Sequence, residues 1–346
     1  MERKLHTWTR DQIHMHKKLE GTIQPEANKR TGRTGQILLV AFALMFLSAA
    51  CPDYLRAGMQ ANFLYSLSNF TGPIPYTVPR VVVDKDRNEV SVLSGNEVRV
   101  FNERGMEIYR FGEDLDVGLI ADLSTDSNGD ILLLTYTWPP ESRMTIVRCN
   151  FRGEPTGKIE IKNLPPQFSD FIPNRIVSLN NVLYLADLRG LKAVKTDLDG
   201  TFKEGYDIFS MLSLKKTTRG DLEILGFSVA GDGSMLFTIP VLFTAYRLYP
   251  DGKLDQFGKP GSAPGKFNLV RGIALDSRGN YFVVDRLKST VMVFDGNFTY
   301  ITQFGFRGPK RGNLIAPDDV VIDASGRVYV TQNIKRGVSV YAVSYE

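Results

Sequence analysis

A ring of six four-stranded antiparallel sheets, all-β, is the fold class this sequence predicts. Three observations carry the prediction. A tight turn recurs six times at near-constant spacing, each recurrence separates two short apolar runs, and the composition suits strands and turns. Of 346 residues 31 are glycine, and 11% are aromatic. That mix fits many short strands joined by tight turns.

The recurring turn is KDRN ending at Asn88, DSNG at Gly129, SLNN at Asn181, GDG at Gly233, DSRG at Gly279 and DASG at Gly326; the steps are 41, 52, 52, 46 and 47 residues. The runs it separates are VVVD/EVSVL, LIADLS/DILLLTY, RIVS/VLYLAD, GFSVA/SMLFTI, GIALD/NYFVVD and DVVID/RVYVT. Asp or Ser opens such a turn, and Gly or Asn takes the positive φ that closes it. A third strand then ends in a second polar turn, at Gly105, Gly153, Gly200, Gly252 and Gly296, and a fourth strand follows, as in MEIYRFG, KLDQFG and TYITQFG.

Four strands at a period of ~40–50 residues describe a propeller blade. The sixth unit has only three strands before Glu346, and NFLYSLSNF (Asn62 to Phe70) alternates apolar and polar residues, as a strand that completes it would. The propeller domain is therefore expected over residues 62–346. Closing the ring removes open sheet edges.

The stretches Gln256 to Asp295 and Gln303 to Tyr341 closely resemble NHL repeats, with F-G, spaced glycines, a loop before the inner strand and D-x-x-G. The first four units share turn and strand order with them. The resemblance implies a six-bladed NHL-type (TolB-like) propeller of the bacterial exported type. Such propellers serve as binding modules, as scaffolds and in a few cases as enzymes, so fold alone does not fix function.

Ahead of the propeller, residues 1–36 form a basic N-terminal region and residues 37–51 an apolar one. Ile37 to Ala50 carries fourteen residues without a charge. As a helix it spans ~21 Å at ~1.5 Å per residue, short of a ~30 Å hydrocarbon core. Lys29, Arg30 and Arg33 precede it, and Ser48, Ala49 and Ala50 follow, which is the layout of a secretory signal peptide. A retained membrane anchor is the other reading. LSAAC ending at Cys51 resembles a lipoprotein box with its leucine displaced by one, which makes Cys51 a candidate for lipidation. The expected location is extracytoplasmic: periplasmic, membrane-anchored or secreted.

Residues 1–50 hold eight Lys/Arg and four Asp/Glu, which leaves 34 of each sign in the remainder of a chain with 42 and 38. That balance argues against a nucleic-acid partner, whose footprint calls for excess basic charge. All three histidines, His6, His14 and His16, lie in the first 16 residues. The propeller thus lacks imidazole for catalysis or metal binding. Cys51 and Cys149 are the two cysteines. Cys149 reads as a buried free thiol, with a Cys51–Cys149 bridge as the alternative. Asn69 and Asn297 match a glycosylation acceptor, relevant only in a eukaryotic secretory route.

Propellers bind on one face, at loops entering the inner strands and loops between second and third strands. The first set carries Arg80, Asp122, Arg175, Arg271, Asp318 and Asp319. The second carries Asn96, Trp138, Arg143, Asp187, Arg189, Asp285, Arg286, Gln332 and Arg336. Alternating Arg and Asp suit an anionic or peptide-like ligand through charge-assisted hydrogen bonds. The competing account is that they pair with each other and with backbone, locking adjacent blades. Asp187 and Asp285 sit where NHL repeats commonly carry Asp, which favours that account for both. Asp126, Asp276 and Asp323 lack the multi-ligand spacing of a calcium loop and read as turn caps. Trp138, and the apolar loop Ile239 to Tyr246, are candidates for an apolar contact patch.

Taken together, the residues point to a non-catalytic extracytoplasmic propeller that binds a partner protein or small ligand on one face in a scaffold role. The resemblance to exported NHL-type propellers, which accompany secreted or periplasmic assemblies, adds an exported redox assembly as a partner it implies. No cofactor or metal is expected. Membrane contact is expected only through residues 37–51 or a lipidated Cys51. The alternative is a calcium-dependent lactonase-like or hydrolase-like enzyme, to which Asp122, Asp318 and Asp319 would contribute acids.

Overall fold

The structure is a computed structural model and describes residues 58–84, 87–113, 117–137, 144–212, 214 and 220–345. The expectations for residues 1–36 and 37–51, and for Cys51, Trp138 and Arg143, lie outside the described residues. Strand β1 (Met59–Ser66) comes first, then a small ribbon of β2 (Ser68–Asn69) and β3 (Gly72–Pro73). The first full sheet contains β4 (Arg80–Asp84), β5 (Glu89–Ser94), β6 (Glu97–Phe101) and β7 (Glu107–Phe111). The second contains β8 (Leu119–Thr125), β9 (Ile131–Tyr136), β10 (Met144–Cys149) and β11 (Pro155–Ile159). The third runs β12 (Arg175–Leu179), β13 (Val182–Asp187), β14 (Lys192–Asp197) and β15 (Phe202–Asp207). The fourth runs β16 (Gly226–Val229), β17 (Met235–Ile239), β18 (Thr244–Leu248) and β19 (Leu254–Phe257). The fifth has β20 (Val270–Leu275), β21 (Tyr281–Asp285), β22 (Thr290–Phe294) and β23 (Tyr300–Phe304).

The sixth sheet has β24 (Pro317–Ile322), β25 (Arg327–Gln332) and β26 (Gly337–Tyr345), with β1 lying antiparallel against β26 as its fourth strand. Five sheets are antiparallel meanders and the sixth is a three-strand meander completed by β1, so the described residues form an all-β six-bladed propeller. Strand β1 starts before Asn62 and ends at Ser66. Leu67 then turns inward, 1% exposed, and the chain leaves the sheet there.

Six apolar clusters fill the gaps between neighbouring blades. One joins Val81, Val90, Val92 and Phe101 of the first blade to Tyr329, Val338 and Val340 of the sixth. The other five join the remaining neighbours in order around the ring. The second and third strands of each blade are covered on both faces, and so read as continuous apolar runs such as LLL in β9 and YFVV in β21.

All six inter-strand turns place the expected residue at positive φ: Asn88 54°, Gly129 79°, Asn181 61°, Gly233 82°, Gly279 84° and Gly326 82°. The opening aspartates act as caps. Asp276 Oδ1 accepts from Arg278 N at 2.9 Å and Asn280 N at 2.7 Å. Asp126 and Asp323 make the same pair of bonds. One second-set turn differs from expectation. In Asp295-Gly296-Asn297-Phe298 the residue at positive φ is Phe298, at 62°, and not Gly296. Phe298 N donates to Asp295 O at 2.9 Å. The Phe298 ring stacks on Phe257 at 4.7 Å, and that packing outweighs the backbone preference.

The apolar stretch Ile239 to Tyr246 is not an exposed patch. Ile239, Ala245 and Tyr246 are buried in β17 and β18, and only Val241 is substantially exposed, at 51%. Cys149 is a buried free thiol. Among the described residues no helix is long and apolar enough to cross a membrane.

Candidate functional site: an arginine-rich mouth

The six turns just described lie at one end of the barrel axis. The loops entering the inner strands lie at the other, and there the inner strands carry their charges. Bulges in three inner strands bring these residues to the axis: the register shifts between Ile120 and Asp122, between Val270 and Ile273, and between Pro317 and Val320. Bulges re-aim side chains in this way beside many sites.

Arg80, Asp122 and Asp319 form a buried triad. Arg80 Nε donates to Asp122 Oδ1 at 3.0 Å, and its Nη1 donates to Asp319 Oδ2. Asp122 is fully buried and also accepts from Ile176 N at 3.0 Å, so one carboxylate ties the first three blades. Burial alone would lower the Arg80 pKa, but the two carboxylates outweigh it and hold the guanidinium above its ordinary value.

Above the triad opens a cavity of about 600 Å³. Its charged lining is Arg175, Arg189, Arg271 and Arg286 against Glu223 and Asp318. Asp318 Oδ1 serves two arginines, with Arg271 Nε at 3.3 Å and Arg286 Nη1 at 3.2 Å. Arg189 meets Glu223 at 3.5 Å on the exposed rim. Arg175 makes no ion pair among the described residues; its Nη1 donates to the Asn174 carbonyl at 2.8 Å. Burial lowers the pKa of Arg175, and neighbouring Arg80 adds to the effect. Burial also lowers that of Arg271, with Arg286 adding to it. Both shifts are first of all effects of burial, which the nearby carboxylates only partly offset.

The remaining predicted residues hold loops. Asp285 accepts from Asn268 N at 2.7 Å and Lys288 N at 3.0 Å. Asp187 accepts from Ile172 N at 3.2 Å and Gly190 N at 2.7 Å. Gln332 takes the same place in the sixth blade and accepts from Ile315 N at 2.7 Å. Asn96 accepts from Ile120 N at 2.7 Å. Arg336 donates to Pro309 O at 3.2 Å.

Sequence reasoning missed Asn174 and Asn333, which line the mouth. Each spends its side-chain oxygen on a backbone amide, Leu188 N at 3.2 Å and Ile334 N at 2.8 Å. Their side-chain NH₂ groups therefore add donors to a site already rich in them. The available signal was position: Asn174 precedes Arg175, and Asn333 follows Gln332.

A second cavity of about 380 Å³ runs along the axis below the triad. Inner-strand side chains such as Val82, Val177, Val229 and Val321 line it, and it reaches the turn end at Asp126 and Asn180. Arg80 and Asp319 form its upper end. Among the described residues no group of three or more His, Cys, Asp or Glu is placed to hold a metal ion. The acids that a hydrolase would need, Asp122, Asp318 and Asp319, are engaged by arginines.

No family model and no curated protein sequence matches this chain. Solved structures do. A streptogramin B lyase is 13% identical with a TM-score of 0.53, over 83% of this chain and 98% of that one. An auxiliary nutrient binding protein from Bacteroides ovatus is 13% identical with a TM-score of 0.55, over 83% and 77%. A luciferin-regenerating enzyme is 12% identical with a TM-score of 0.53, over 83% and 95%. At these identities the likeness extends to architecture alone: the chain shares with these proteins a β-propeller architecture, which in this chain has six blades.

Proposed function

We propose that this chain is a non-catalytic binding propeller whose arginine-rich mouth receives an anionic group of a small ligand or partner protein. One observation carries the reading: four arginines and two carboxylates line the mouth cavity, and Arg175 has no carboxylate of its own. Unpaired guanidinium in a partly desolvated cavity favours an oxyanion through charge-assisted hydrogen bonds. A binding role is in keeping with a fold neighbour named as a nutrient binding protein. The repeat pattern of residues 256–341 supports NHL-type ancestry, and the N-terminal basic and apolar segments support export with anchorage through residues 37–51 or Cys51. In this reading β1 is the closure that ties the start of the propeller to its last blade.

The test is thermal melting and calorimetry of the full chain with a panel of carboxylates, phosphate and sulfate at low salt. At least one anion is expected to raise the melting temperature with dose, and the Arg271→Ala/Arg286→Ala double variant should lose that response. A flat response to every anion, in a folded protein, would sink the reading.

A further inference from the structure

Building on the anionic mouth ligand proposed above, we infer that Arg175, Arg271 and Asn174 form a socket for the carboxylate of a small organic acid with an apolar body. The argument starts from strand register. The residue at which each inner strand meets the mouth can be equated across blades. Arg80 pairs with Leu93, Asp122 with Leu134, Arg175 with Ala186 and Gly226 with Thr238. A shared contact fixes two of the counterparts. Gly226 N donates to Thr238 Oγ1 at 3.0 Å, and Asp319 N donates to Thr331 Oγ1 at 2.8 Å.

Gly226 in the fourth blade is therefore the counterpart of Asp319 in the sixth. The bulge of β20 makes Gly272 the counterpart in the fifth. Around the ring this level reads Arg80, Asp122, Arg175, Gly226, Gly272, Asp319. It holds two cations and two carboxylates, yet Arg80 takes both carboxylates. Arg175 is left facing an arc of the ring that carries no side chain.

The chain cannot fill that arc itself. A Cβ at Gly226 would lie 2.2 Å from the Arg271 carbonyl oxygen, and one at Gly272 would lie 2.4 Å from Asp319 Oδ1. One residue nearer solvent the ring reads Asn174, Leu225, Arg271 and Asp318, and its carboxylate is already shared between Arg271 and Arg286. Arg271 Nε is buried and lacks a hydrogen bond of good geometry. Among the described residues the arc from Arg175 to Arg271 thus presents two guanidinium groups and the Asn174 amide, and no carboxylate that is not already paired with an arginine. A planar carboxylate matches a guanidinium edge with two parallel bonds. The mouth also carries apolar lining: Leu225 on the arc itself, Leu188 from the third blade and Val78 ahead of the first. A cavity of about 600 Å³ suits a compact organic acid and exceeds what a bare inorganic anion needs.

The probe is octanoate, compared with octanol and inorganic phosphate by calorimetry on the full chain at low salt. Octanoate should bind at least tenfold more tightly than either, and Arg175→Ala should weaken it at least tenfold. A second pair of variants supplies the missing acid from within. Leu225→Glu should melt several degrees above Leu225→Gln and should no longer take octanoate. Equal melting of those two variants, or wild-type octanoate affinity in Arg175→Ala, overturns the socket. Octanol binding as tightly as octanoate overturns the carboxylate, and phosphate binding as tightly overturns the apolar body. Should an anion bind in a manner that Arg286→Ala abolishes and Arg175→Ala leaves unchanged, the socket falls while the mouth reading survives. If no anion binds the wild type, both fall.

Discussion

Phe298 is a bulky residue in a left-handed conformation, φ 62°, where its counterparts in the other blades are glycines such as Gly105 and Gly153. Its ring is held by Phe257 at 4.7 Å and Tyr281 at 5.2 Å. Truncation to alanine removes the packing and keeps the strained backbone, which costs a Cβ-bearing residue ~1–2 kcal/mol. Phe298→Gly removes both. In urea melts Phe298→Gly should therefore be more stable than Phe298→Ala by ~1 kcal/mol, the reverse of the usual order. Asp122 is the other residue whose surroundings dictate an outcome. It is fully buried and bonded to Arg80 and Ile176 N. Asp122→Ala leaves the Arg80 guanidinium with one of its two carboxylates, and breaking a buried pair in this way costs ~3–5 kcal/mol. A fall in stability below ~1 kcal/mol in the same assay would contradict the triad as a fastening between blades. Residue type and position were legible in the sequence for Arg80, Asp122 and Asp319. Who pairs with whom was not, because Arg80 meets Asp319 across 239 positions of chain only once the ring curves round.

Among the elements, β1 stands apart because its partner lies at the other end of the propeller. Its residues alternate outward and inward along the strand, and Phe63 meets Tyr341 edge-on at 5.8 Å. Removing residues through Ser66 would expose the row of backbone groups on β26 and uncover the Met59 and Phe63 contacts. An open strand edge invites pairing with other chains. The truncated protein should therefore melt well below the full chain and should aggregate, as followed by light scattering. Monomeric protein with an unchanged melting temperature would show that the three remaining strands suffice. The strand pairs themselves were readable, because a Gly or Asn at positive φ closes the turn inside each one, and in five of the six an Asp caps it. The turn at Gly296 was misread for a local reason. Its glycine lies two residues before the position that needs it, and aromatic packing lets Phe298 serve there.

For the whole molecule, the interior is rich in acidic protons that burial retains. Burial pushes the Cys149 thiol up from 9.0 to about 11, with Asp130 adding to the effect. Burial likewise raises the phenols of Tyr76, Tyr329 and Tyr341. In each case the folded form holds its proton more tightly than the unfolded form. The resulting stabilisation is complete below the ordinary pKa and is lost as pH rises through the folded value. Stability should thus be flat near neutrality and decline above about pH 9, with Cys149 alone contributing ~2–3 kcal/mol of the loss. Equilibrium unfolding from pH 7 to 11 checks this, and Cys149→Ala should decline less steeply than the wild type. A slope identical in the two proteins would remove the thiol from the account. At this scale the fold was legible because six repeats report the same strand pattern. The mouth was half legible. Its arginines stand out in the sequence, but the glycines that leave Arg175 facing an empty arc acquire meaning only through strand register.

The triad of Arg80, Asp122 and Asp319 has one more consequence. Arg80 and Asp319 end the lower cavity, Asp318 and Arg175 line the upper one, and no residue lines both. Two separate chambers thus share one axis, with the Arg80 triad standing between them, so that a solute lodged from the turn end and one lodged from the mouth would meet different walls.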